Sequence, residues 1–152
     1  MGIKKVQPDI MYKARTSWTP SLTSTGTTPS GWAGDSAASV WQRSGDLVIV
    51  RGKINHTANA SQGTGTWKTS LPVRPKCLTD YQVAGDWYYH DNGLAAFGHM
   101  VLNVDSYNSS VAWFGTIMYG NSTWKFLGPG SITNDYSDAG SLNYWLFYEA
   151  NF

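Results

Sequence analysis

Cysteine, glutamate, charge and long apolar runs are all scarce in this chain, and each scarcity removes a class of protein. Cys77 is the only cysteine, so no internal disulfide can form. That favours assembly in a reducing cytoplasm over secretion, with Cys77 read as a small core residue. Charged residues make up 14% of the sequence, against about 25% in ordinary soluble domains. The formal net charge of +1 supplies no clustered basic footprint for nucleic acid. No run of 18 apolar residues occurs, so no membrane-inserted helix is expected. The opening residues, Met1 to Pro8, lack the apolar segment of a signal peptide. Val6 stands where an N-myristoylation motif needs Ser or Thr.

Catalytic signatures are missing too. There is no Gly-x-Ser-x-Gly, phosphate-binding loop or Cys-His signature. His56, His90 and His99 lack metal-ligand spacing, so neither a metal nor another cofactor is expected. His90-Asp91 reads as turn chemistry at a strand end. Glu149 is the sole glutamate, and aspartates such as Asp35, Asp46, Asp91 and Asp138 sit in turn-like contexts. Only Asp86 and Asp105 fall within or at the end of a strand, and nothing pairs them as glycoside hydrolysis would require. An enzyme is not expected.

What remains is a chain of 152 residues, enough for one domain that buries roughly 68–70% of its unfolded surface. Aromatics reach 14%, with eight Trp, nine Tyr and five Phe. Interfaces are enriched in such rings and depleted in Lys, Glu and Asp, which points to self-association. An aromatic core beneath a Ser/Thr/Asn surface is the other account of the same numbers.

Period-two alternation recurs along the chain, and helical periodicity does not. In the clearest case Val40–Arg43 and Asp46–Ile54 flank a two-residue Ser44-Gly45 loop, a tight hairpin. That register sets Arg43 against Asp46, Trp41 against Val48 and Ser39 against Val50. Val48, Val50 and Ile54 then share the buried face, with Arg51, Lys53 and Asn55 opposite. Further strands are expected at 17–22, 66–71, 83–90, 99–105, 111–119, 124–127 and 143–152. Trp67, Thr69 and Leu71 share one face of the strand at 66–71, Val83, Trp87 and Tyr89 one face of that at 83–90, and Tyr144, Leu146, Tyr148, Ala150 and Phe152 one face of the last. The expected fold is all-β, an antiparallel, jelly-roll-like sandwich of about eight or nine strands spanning 17–152. It follows an N-terminal arm, 1–16, that carries Lys4, Lys5, Lys13 and Arg15. Trp32, in an expected loop from Pro29 to Gly34, joins Tyr88 and Trp124 as rings that could face a glycan or a subunit contact. Asn-x-Ser/Thr triplets at Asn55, Asn59, Asn108 and Asn121 mark expected surface loops.

Four segments occur in a suggestive order: Trp18-Thr19-Pro20; Trp41-Gln42-Arg43-Ser44-Gly45-Asp46-Leu47-Val48; Gly63-Thr64-Gly65-Thr66-Trp67 through Leu71-Pro72-Val73; and Leu142 to Ala150. Together they resemble the C-terminal β-sandwich module of bacteriophage minor tail and tail-fibre proteins, over nearly the whole of Trp18–Phe152. The resemblance implies a virion structural protein, assembled in the host cytoplasm, with no catalytic residues to carry over. Its partners would be other virion proteins and further copies of itself, by analogy a homotrimer. About sixteen residues precede the module where such proteins usually carry a long docking region. The expectation therefore moves towards a capsid-decorating, neck or baseplate-associated subunit. The alternative is a lectin-like module that binds host-surface glycans.

Overall fold

The computed structural model describes residues 15–76, 80–91, 95–117, 124–126 and 138–150. The fold is all-β and antiparallel. Its strands are β1 (Thr16–Ser17), β2 (Leu22–Ser24), β3 (Ser30–Gly34), β4 (Val40–Ser44), β5 (Leu47–Ser61), β6 (Trp67–Ser70), β7 (Gln82–His90), β8 (Ala95–Leu102), β9 (Val111–Ile117), β10 (Trp124–Phe126) and β11 (Gly140–Glu149). One helix, α1 (Val104–Ser109), lies between β8 and β9. The strands form one continuous sheet, in the order β1-β4-β5-β11-β7-β8-β9-β6-β2, with β3 added on β5 and β10 on β9.

The centre of the sheet follows from alternation. Along β5, Val48, Val50, Ile54 and His56 are buried while Leu47, Ile49, Arg51 and Thr57 are exposed. On β11, Leu142, Tyr144, Leu146 and Tyr148 point inward in register with them. The expected faces of β5, β6 and β11 are all present. The β4–β5 hairpin differs in its turn: Ser44 faces Leu47, Arg43 faces Val48 and Trp41 faces Val50. The two turn residues are therefore Gly45 and Asp46, not Ser44 and Gly45. Gly45 has φ +59 at the first central position, where type II′ turns favour glycine. Because the slip is two residues along the partner strand, the buried face is unchanged.

Four other expectations are corrected. The single strand expected at 17–22 is two short strands separated around Pro20, which has no N–H to donate to a ladder. Val83, expected inward, is exposed. A register shift between Val83 and Gly85 turns Ala84 into the core in its place. The strand expected to run to Asp105 stops at Leu102. Asn103 there caps α1, accepting from the Ser106 N–H while its own N–H donates to Ser106 Oγ. Asn55 and Asn59 lie in β5 and Asn108 in α1, so these triplets are not in loops. Cys77, Asn121, Phe152 and the arm as far as residue 14 fall outside the described residues, and Thr16 already belongs to β1.

Tyr144 shows how strongly the sheet curls. Four strand spacings separate β11 from β6 along the path, roughly 19 Å on a flat sheet. Yet Tyr144 Oη lies 2.8 Å from Thr69 Oγ1 on β6, and its ring meets Phe114 edge-on at 5.7 Å. Gly52, opposite Tyr144 on β5, makes the room: a Cβ there would run into the ring. Tyr148 donates to the Val73 carbonyl at 2.7 Å, and Trp87 Nε1 to the Gly115 carbonyl at 2.8 Å. These three buried rings thus have their polar ends satisfied.

Gly52→Ala should overpack this contact and cost about 1–3 kcal/mol, read as a lower urea midpoint with an unchanged slope. Burial pushes the Tyr144 and Tyr148 hydroxyls well above their ordinary value of 10.0, which favours the neutral form in the fold. Stability should therefore hold below about pH 10, where the unfolded tyrosines begin to ionise. It should then fall by up to ~1.4 kcal/mol per pH unit for each tyrosine as pH rises towards the folded values. Urea midpoints from pH 9 to 11.5 check the trend, and Tyr148→Phe should make it shallower.

Candidate functional site

Two regions of the described chain concentrate chemistry, and they lie on opposite faces of the sheet. The inner one is built around Trp32. The segment expected to be a loop is strand β3, and Trp32 pairs with His56 of β5. Its indole is half-buried over the His56 ring at 4.5 Å and meets the edge of Trp67 at 5.1 Å. Trp32 Nε1 donates to the Ser61 carbonyl at 3.1 Å. Beneath it, His56 and Tyr89 stack with their rings 5.7 Å apart and 11° from parallel.

A buried hydrogen-bonded chain runs from there. His56 Nδ1 donates to the Thr57 carbonyl at 3.0 Å, and His56 Nε2 lies 2.9 Å from Tyr89 Oη. Tyr89 Oη lies in turn 3.0 Å from Asp91 Oδ2. The Tyr89 hydroxyl donates to the Asp91 carboxylate and so bridges it to His56. His56, Tyr89 and Asp91 are all buried, and Gly140 packs against His56 and Asp91. A general acid or base must come within hydrogen-bond reach of its substrate. This chain of groups is instead covered, and it ties β3, β5 and the end of β7 together. Asp91, expected to serve a turn, is a member of it.

Strand parity could have shown that each member points inward, though not that the three meet. Residue 56 continues the inward set of Val50 and Ile54, and residues 89 and 91 continue that of Trp87.

The outer site lies on the opposite face. Across β5, β11, β7 and β8 that face presents Ile49 (39% exposed), Phe147 (57%), Trp145 (48%), Tyr88 (37%) and Phe97 (79%). Cross-strand register makes them neighbours: Ile49 faces Phe147, and Tyr88 faces Phe97. A polar row runs between the rings. Val40 pairs with Arg51, Arg51 with Trp145, Trp145 with Asp86, and Asp86 with His99. Asp86 Oδ1 lies 2.7 Å from His99 Nδ1. At the β4 end of this face Arg15, Val40, Trp41, Gln42, Ile49 and Arg51 line an open hollow of about 130 Å³.

Of the three candidate rings, Trp32 and Tyr88 therefore lie on opposite faces and do not form one platform. Trp124 belongs to β10, opposite Ile117 of β9. In the hairpin, Arg43 donates its Nε–H to the Gly45 carbonyl at 2.6 Å, and the Asp46 carbonyl accepts the Ala150 N–H at 2.9 Å. Among the described residues no three His, Cys, Asp or Glu side chains converge on a metal site. No described helix is long and apolar enough to cross a membrane.

The chain matches no known protein family, no curated protein and no solved structure.

Tyr89→Phe removes the hydroxyl that bridges His56 and Asp91 and should cost about 1.5–3 kcal/mol in urea denaturation. A loss within ±0.5 kcal/mol would show that the relay does not brace the fold.

Proposed function

We propose that this chain is a non-enzymatic structural subunit of a bacteriophage particle, acting through protein interfaces. One observation carries the reading: across β5, β11, β7 and β8 the outer sheet face exposes Ile49, Tyr88, Phe97, Trp145 and Phe147 while the inner face is buried core. Contiguous exposed apolar patches of more than a few hundred Å² mark interaction sites on soluble proteins. The low charge agrees, since Lys, Glu and Asp are depleted at interfaces. The relay of His56, Tyr89 and Asp91 is buried beneath Trp32 and presents none of its own groups to a substrate. The bacteriophage assignment draws on the order of the four sequence segments. Two of them coincide with the β4–β5 hairpin and with β11, adjacent pieces of one sheet.

A second reading is recognition of host-surface glycans. Its support is local: the exposed ring of Tyr88 lies beside Phe97, with the Asp86 carboxylate one row away as an acceptor. Sugars bind where a flat apolar surface adjoins directed polar groups.

Mass spectrometry of purified particles, with immunogold labelling of intact ones, tests the structural role. The chain should appear in fixed stoichiometry at one location. Consistent absence from particles made in cells that express it would refute the assignment. Under the glycan reading, Tyr88→Ala should abolish retention on a host-glycan array.

A further inference from the structure

We propose that the exposed face of β5, β11, β7 and β8 docks on a second copy of this chain about a two-fold axis parallel to β11. This deepens the structural reading above and rests on it for its biological sense, while its geometry stands on the register alone.

The row Val40–Arg51–Trp145–Asp86–His99 is self-complementary. Trp145 is its middle member, with Arg51 one strand spacing to one side and Asp86 one spacing to the other. Rotating a second copy by half a turn about an axis beneath Trp145 exchanges the two ends. Arg51 of each copy then lies over Asp86 of the other, and Trp145 over Trp145. The next row places Phe147 on the same axis. At the ends, the hollow beside Val40 and Arg51 faces the ridge formed by the Asp86–His99 pair of the other copy.

Charge sets this occupant apart from an arbitrary apolar partner. The β4 end of the row is basic, with Arg15 and Arg51 lining the hollow, and Asp86 lies on the other side of Trp145, paired with His99. A two-fold axis running across the strands would set like charges over like, whereas one along β11 sets each charge over its opposite. A two-fold interface uses the same patch on both subunits, which is what a row of this symmetry supplies.

Sheets that pack face to face keep their strands within about 30°, consistent with an axis along β11.

The test is light scattering and sedimentation of the full chain across concentrations, with charge inversions. The wild type should be a dimer. Arg51→Asp alone and Asp86→Arg alone should each weaken dimerisation about tenfold or more, because each sets like charges together. Mixing the two single variants should restore association as a heterodimer, since every charge then faces its opposite. The double variant R51D/D86R should likewise dimerise, which excludes misfolding as the cause of the single losses. A wild type that stays monomeric, including one that instead binds glycan through this face, overturns the proposal. So does a trimer, or a dimer indifferent to both inversions. A charge-sensitive dimer absent from particles would keep this inference and reject the virion role. A particle protein that is monomeric in solution would do the reverse.

Discussion

The packing of Tyr144 against its three neighbours holds the molecule in its curled form. Gly52 leaves the space its ring fills, Phe114 meets the ring edge-on, and the Thr69 hydroxyl completes the bond at its tip. A sheet twists by itself, but twist alone does not bring β6 over β11. A buried phenol requires a partner, and the only way to supply one from β6 is to fold that side of the sheet over the core. The single contact therefore couples a backbone feature, the missing Cβ at position 52, to the enclosure of the apolar face.

Curling divides the labour between the two faces of the same strands. Rings on the concave side are enclosed and their polar atoms are paired: Trp67 with the Gln62 carbonyl, Trp87 with Gly115, Tyr148 with Val73, and Tyr89 within its relay. Rings on the convex side stay in water, in register with one another and with the Arg51 and Asp86 charges. The aromatic surplus is thus spent on both accounts first considered, core and surface, and alternation decides which ring goes where. The proposed assembly role draws only on the convex half.

Strand parity made much of this legible. The inward set Val48, Val50, Ile54 and His56 follows from β5 alone, as Tyr144, Leu146, Tyr148 and Ala150 do from β11. The misreadings have local causes. A Ser-Gly turn and a Gly-Asp turn fit the same hairpin equally well by composition, and the choice rests on how the long β5–β11 ladder anchors β5. The only compositional mark of the bulge at Ala84 is Gly85 within the strand, and the bulge alone reverses Val83. Helix α1 is too short for a periodic signal, and its Asn103–Ser106 capping box differs from the usual Ser/Thr–Glu/Gln pair. Trp32 looked like a loop residue among Ser and Gly, because nothing in its own segment announces the β5 edge with which it pairs.

Composition and period-two patterning by themselves determined that the chain is β-structured, lightly charged, ring-rich, and buried along one face of β5 and one of β11. Only the tertiary structure decided which strands are neighbours, and so which rings meet. It joined His56 to Tyr89 and Asp91, parted Trp32 from Tyr88, and placed Arg51 and Asp86 either side of Trp145. The physical reason is that alternation is local to a strand, whereas pairing order is settled by contacts between residues far apart in the chain. Side-chain neighbours across a sheet depend on that order alone.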